Sequence, residues 1–154
     1  MSKYLSANDK AVNFIRLLSK GIEFIRYIDE TKQENIFLTY SNSSDNLRGK
    51  LSYYNIKTPN EIVDIPVKNI TDIFVGKHTK LLKSKVYNNL DNTCCFSLVS
   101  KKCTLDLKVN NKFLRDKWIK AIHRVSTSLH KKSKSFTKED KKIVKITQLL
   151  STGQ

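Results

Sequence analysis

The side chains best suited to nucleophilic or metal chemistry are three cysteines, Cys94, Cys95 and Cys103, and three histidines, His78, His123 and His130. Their spacing serves neither purpose. A zinc site needs four ligands at suitable spacing, and these histidines are scattered along the chain. An odd number of cysteines, two of them adjacent, does not form a disulfide framework. They read as half-buried thiols in strands of a reducing compartment. No nucleophile elbow, P-loop, dinucleotide fingerprint or metal-ligand run occurs. The sequence therefore points away from catalysis, and it calls for no cofactor and no metal.

The abundant chemistry is cationic. Lys and Arg number 29 against 14 Asp and Glu, a net charge of +15 over 154 residues. Such an excess predicts an anionic partner, a lipid surface or nucleic acid. Only five of these cations are Arg. Lys is a compact point charge suited to diffuse anionic surfaces, while Arg suits stereospecific readout, so the balance favours a membrane surface. The cations form groups. Lys77, Lys80, Lys83 and Lys85 surround Leu81 and Leu82. Lys50 and Lys57 form a second group, Lys101 and Lys102 a third, and Arg26 and Lys32 flank a short acidic stretch. Each Lys beside an anionic leaflet contributes about 1 kcal/mol. Leu81 and Leu82 either pack beneath their loop or dip into the interface as membrane-insertion side chains.

These groups need a scaffold. Residues 8–19 have helical spacing, with Val12, Ile15 and Leu18 on one face and Gly21 beyond the end. Strands follow around Ile22–Ile28, Ile36–Tyr40, Leu47–Tyr54, Ile62–Ile65, Ile70–Val75, Cys94–Val99 and Thr104–Val109. Gly49 suggests a bulge, and Pro59 and Pro66 mark the fourth strand as an edge. A polar connection spans residues 76–91. Leu114, Trp118, Ile122, Val125 and Leu129 then form the apolar stripe of a long helix, which makes Trp118 a core residue. Strands closed by one helix predict a mainly β fold, an antiparallel sandwich or open barrel capped at one end. Residues 1–20 read as an N-terminal extension with a short helix and 21–130 as the domain. Residues 131–154 read as a basic tail in which Thr137-x-x-Asp140 could cap a helix. No apolar run is long enough to cross a membrane, and residues 1–10 carry no signal peptide.

Seven strands and a final helix with a central Trp resemble a pleckstrin homology (PH) domain. The ordered strings VGKHTKLL, CCFSLV, CTLDL and FLRDKWIKAIHRV, with LLSKGIEFIR before them, resemble the PH domain of delta-type phospholipase C over residues 9–128. A Lys-rich and Asn-rich PH domain of this branch also looks like the apicomplexan acylated PH-domain family. That resemblance implies phosphatidic acid binding on the cytosolic face of secretory organelles and a part in microneme secretion. Members of that family begin with an acylatable Gly and Cys, whereas this chain begins Met1-Ser2-Lys3.

In phosphoinositide-binding members the headgroup lies between the first hairpin loop and the loop after strand three. Arg26 falls on one basic position of strand one, but Ile28 and Ile36 stand where further cations belong. Asp29, Glu30 and Glu34 make the intervening stretch acidic, which repels a polyphosphate. Phosphatidic acid needs fewer stereospecific contacts. The resemblance and the charge together predict a peripheral, monomeric binder of phosphatidic acid on a cytosolic organelle surface or the plasma membrane. The contacts would be Arg26, Lys32, Lys50, Lys57, Lys77, Lys80, Lys83, Lys85, Lys101 and Lys102. Phosphoinositide binding is the alternative, followed by a protein scaffold or a nonspecific nucleic-acid binder, and no protein partner is indicated.

Overall fold

A computed structural model describes residues 7–42 and 49–130. The tail after residue 130, and the start of the third strand at Leu47, lie outside the described residues. The elements run α1 (Ala7–Lys20), β1 (Ile22–Tyr27), β2 (Gln33–Ser41), β3 (Lys50–Asn55), β4 (Val63–Pro66), β5 (Ile70–Val75), β6 (Cys95–Ser100), β7 (Thr104–Lys108) and α2 (Lys112–His130). The seven strands form one antiparallel sheet in the order β4-β3-β2-β1-β7-β6-β5. This is the expected mainly β architecture with one helix before the strands and one after them. β4 is an edge strand, as its Pro66 requires.

One core draws on all seven strands, so the sheet rolls around it. Phe24, Ile36, Leu38, Leu51, Tyr53, Ile65, Ile73, Phe96, Leu98, Leu105 and Leu107 fill it from the strands. Trp118, Ile119, Ile122 and Val125 close it from α2, and Leu18 enters from α1. The helix forms where its stripe predicts. Asn111 caps it, its Oδ1 accepting from Phe113 N at 2.9 Å and Leu114 N at 3.1 Å. The Trp118 ring meets Phe24 edge-on at 5.3 Å, and Phe24 meets Phe96 at 5.6 Å.

β2 begins three residues before its expected start at Ile36. Its polar first residues pair with the end of β1, Gln33 with Tyr27 and Glu34 with Arg26. The hairpin loop is therefore short, and Ile28 N donates to Lys32 O at 2.9 Å to close it. Gly49 makes no bulge. It precedes β3 at φ 73°, and any Cβ there would collide with the Tyr40 ring.

The connection between β5 and β6 is folded onto the outer face of the sheet. Leu82 and Tyr87 pack there on Tyr27 and Cys95, with Ile25, Leu81 and Leu90 around them. β6 is consequently buried on both faces through Leu98. Polar contacts fasten the same segment. The buried Asp106 carboxylate accepts from Thr79 Oγ1 at 2.7 Å and from Ser97 Oγ at 2.6 Å. Buried Arg115 of α2 donates to the Asn92 and Cys95 carbonyls, each at 3.1 Å. Among the described residues, no helix is long and apolar enough to cross a membrane.

His123 gives the fold a pH dependence. Burial first, then the neighbouring Arg124, drives its imidazole from 6.5 down to about 4. Between those values the unfolded chain binds a proton that the folded protein does not. Stability is therefore full above pH 6.5 and falls as pH drops toward 4. Denaturation midpoints measured across this window should fall, and His123→Gln should flatten the slope.

Candidate functional site

The strand register sets which cations can meet. The β1–β2 loop (28–32) and the β3–β4 loop (56–62) leave the same end of the sheet, joined where Ile56 N donates to Asn35 O at 3.1 Å. The β5–β6 segment reaches this end from the outer face. Its Tyr87 hydroxyl donates to the Asp29 carbonyl, and its ring meets Tyr27 at 4.7 Å.

Between the β1–β2 loop and this segment lies an open cleft of about 670 Å³. Glu30, His78, Lys80, Lys83, Ser84, Lys85 and Val86 line it. Lys80, Lys83 and Lys85 are exposed, and their ammonium groups make no ion pair or hydrogen bond with other described residues. Three free ammonium groups against one carboxylate give the cleft a positive surplus. His78 is fixed at its wall by stacking on Phe74 at 4.5 Å. Val86 stands 58% exposed and supplies an apolar lip.

The other predicted cations separate into different environments. Lys77 is half-buried, and its Nζ donates to the Tyr87 and Asn88 carbonyls at 3.2 and 3.3 Å. It braces the segment instead of facing solvent. Leu82 is 0% exposed and Leu81 is partly buried in the same cluster, so the reading of these leucines as insertion side chains is corrected. Their packing against Tyr27 and Cys95 is what holds the lysines in place. Lys50 lies at the opposite end of β3 from Lys57, paired with Asp64 at 3.0 Å. The Ser52 hydroxyl, followed by Lys50, holds that carboxyl below its usual range. Lys50 and Lys57 therefore do not form one group. Lys32, Lys57, Lys101 and Lys102 are exposed in loops.

Arg26 occupies the mouth of the rolled sheet, on the same strand face as buried Phe24. Its Nη1 binds Glu34 Oε1 at 3.1 Å, its guanidinium lies 5.4 Å from the Tyr53 ring centroid, and Asn55 Nδ2 donates to Glu34 at 2.9 Å. Glu34, which its place in the sequence groups with the acidic loop, stands in β2 directly opposite Arg26. The mouth is thus neutralised from within. Glu34→Gln keeps the shape and frees the Arg26 charge. One added cation near an anionic surface is worth about 1 kcal/mol, so bis-phosphorylated phosphoinositide vesicles should bind about fivefold tighter. Vesicle titrations of both proteins check this.

No family profile and no curated protein matches the sequence. Solved structures do match in shape. Inner membrane complex sub-compartment protein 1 from Toxoplasma gondii aligns with TM-score 0.56 at 14% identity, covering 82% of this chain and 98% of that one. The N-terminal PH domain of human ARAP2 aligns with TM-score 0.54 at 15% identity, covering 88% and 95%. The PH domain from TgAPH aligns with TM-score 0.50 at 14% identity, covering 78% and 91%. The chain has a PH-type fold. Within it the lysine cleft lies outside the mouth of the PH barrel, between its first loop and its β5–β6 segment. Sequence reasoning singled out the lysines and read Glu30 as part of the acidic hairpin stretch, but missed Val86. A lone aliphatic residue after the last Lys of a basic stretch was the available signal for Val86.

Proposed function

We propose that this PH domain is a non-enzymatic module that recruits its chain to anionic membranes. The cleft between the β1–β2 loop and the β5–β6 segment takes the phosphomonoester of phosphatidic acid. The observation that carries this reading is the contrast between two sites. Lys80, Lys83 and Lys85 line one cleft without partners, while Arg26 at the barrel mouth is spent on Glu34. A small phosphomonoester can reach several ammonium groups in an open cleft and needs no fixed inositol ring geometry. The module acts as a monomer on the cytosolic face of a secretory organelle or the plasma membrane. This placement, the phospholipase C delta likeness and a part in microneme secretion rest on the sequence resemblance alone.

Phosphoinositide binding is the second reading, supported by exposed Lys57, Lys101 and Lys102 in the β3–β4 and β6–β7 loops. Vesicle sedimentation separates the two. Vesicles with phosphatidic acid should retain more protein than phosphatidylserine vesicles of equal charge. Equal retention would reduce the binding to nonspecific electrostatics. Preference for a bis-phosphorylated inositol lipid would move the site back to the barrel mouth.

A further inference from the structure

Most of the circumference of α2 faces the core, where Arg115, Trp118, Ile119, Ala121, Ile122 and Val125 are buried. What remains is a narrow solvent stripe. Phe113, Lys117, Lys120 and Arg124 follow at spacings of four, three and four, which sets them in one line along the helix. Phe113 is 66% exposed, more than any other large apolar side chain among the described residues. The Lys112 ammonium lies 5.1 Å from its ring centroid. Lys117 is exposed, and Lys120 and Arg124 are partly so. None of these three side chains makes an ion pair or hydrogen bond with other described residues. The stripe itself holds no carboxylate, and Asp116 beside it is taken by Arg115 at 2.7 Å. α1 packs against α2 and adds exposed Arg16 and Lys20, again without ion pairs. A helix face made only for water usually mixes both signs along its length. This one carries a single sign and ends in an open aromatic ring.

We propose that this stripe docks an acidic helical segment of a protein partner. Its carboxylates repeat every three to four residues to meet Lys117, Lys120 and Arg124, and apolar side chains at one end receive Phe113. From Phe113 to Arg124 the stripe runs about 16 Å, so about a dozen partner residues cover it. Charge complementarity selects this occupant and sets its register. A second copy of the chain is a poor match, since five cations on the two helices would face five more. A nucleic-acid duplex offers phosphates but no apolar surface for Phe113. Lipid is disfavoured by position, a step that rests on the cleft being the membrane contact. β7 pairs Asp106 with Tyr27 and then Lys108 with Ile25, so it leads away from the β1–β2 loop that borders the cleft. Phe113 therefore emerges at the other end of the barrel from that loop. The two basic faces then serve different partners, one a membrane and one a protein.

The test uses the full chain, without lipid, and a fluorescein-labelled helical peptide based on alanine. The peptide carries three Glu at spacings of three and four, with two Leu one turn before the first. Controls have the same composition in scrambled order, or Lys in place of Glu. In anisotropy titrations the Glu peptide should bind roughly tenfold tighter than its scrambled form. The variant Lys117→Glu, Lys120→Glu, Arg124→Glu should lose the Glu peptide and bind the Lys peptide instead. Phe113→Ser should weaken the Glu peptide and leave its salt dependence unchanged. If the Glu variant melts early, Lys117→Gln, Lys120→Gln, Arg124→Gln removes the cations with good helix formers and should also lose the Glu peptide. Absence of Glu-peptide binding overturns the proposal, as does equal binding of the scrambled form. It is overturned too if the Lys80→Glu, Lys83→Glu, Lys85→Glu variant loses the peptide and the α2 variants keep it, which would place the acidic segment in the cleft. An α2 variant that loses phosphatidic acid vesicles as fully as that cleft variant makes the stripe a lipid contact and overturns it. Displacement of the Glu peptide by a short DNA duplex makes it a nucleic-acid face, with the same consequence. Peptide binding as expected, with no retention on any vesicle, upholds the docking face and overturns only the membrane reading.

Discussion

Replacing Lys80, Lys83 and Lys85 together by Glu should abolish retention on phosphatidic acid vesicles. Each Lys beside an anionic leaflet contributes about 1 kcal/mol, and reversing its sign costs about as much again. Three reversals then remove about 6 kcal/mol, roughly four orders of magnitude in partitioning. The protein should survive the change. None of the three side chains has a partner among the described residues, and exposed substitutions of this kind alter stability by about 0.5 kcal/mol or less. Lys77→Glu is the informative contrast, because it removes a brace on the Tyr87 and Asn88 carbonyls as well as a charge. It should lower both the melting temperature and the binding. Lys50→Glu should change binding little, since Lys50 is paired with Asp64 at the far end of β3. Sedimentation and thermal melts on the same samples separate these outcomes. If the triple Glu variant binds within threefold of the parent, the cleft is not the contact.

What the sequence could reveal depended on the range of the interaction behind each feature. The stripe through Leu114, Trp118, Ile122 and Val125 is local and periodic, and the helix formed there with Trp118 at its centre. The alternating strands and the edge position of the Pro-ended β4 were legible for the same reason. The start of β2 was hidden because Gln33, Glu34 and Asn35 are polar, and only pairing with β1 makes them strand. The fate of individual cations was less legible still. Nothing local tells that Arg26 faces Glu34, eight residues away, or that Lys50 meets Asp64, fourteen away. Leu82 lies among lysines in the chain, which suggests exposure. Its burial follows from Tyr27 and Cys95, distant residues that the fold brings beneath it. Three lysines of the basic stretch line one cleft and the fourth, Lys77, is turned onto the Tyr87 and Asn88 carbonyls, a division set by long-range packing.

That packing makes the second large prediction. Trp118→Ala should lower stability by about 3–5 kcal/mol, the usual loss when a large buried ring is deleted. The ring is 0% exposed and meets Phe24, which in turn meets Phe96, so truncation removes the α2–β1 aromatic pair and opens a cavity beside the Phe24 ring that packs on β6. Each edge-on aromatic pair adds about 0.5–1.5 kcal/mol beyond its buried area. The indole Nε1 has no hydrogen-bond partner, so its loss leaves no polar group newly stranded. Trp118→Phe keeps part of the stack, drops the unsatisfied donor, and should cost markedly less than the Ala variant. Small domains are stable by only about 5–15 kcal/mol, so the Ala variant should show a much lower urea midpoint and a measurable unfolded fraction on warming. Vesicle binding then discriminates structure from recognition. Trp118 lies in the core and not in the cleft, so the Phe variant should keep the parent affinity. The Ala variant should lose binding only in proportion to the fraction unfolded. A folded Ala variant with lost affinity would instead place α2 in the lipid contact.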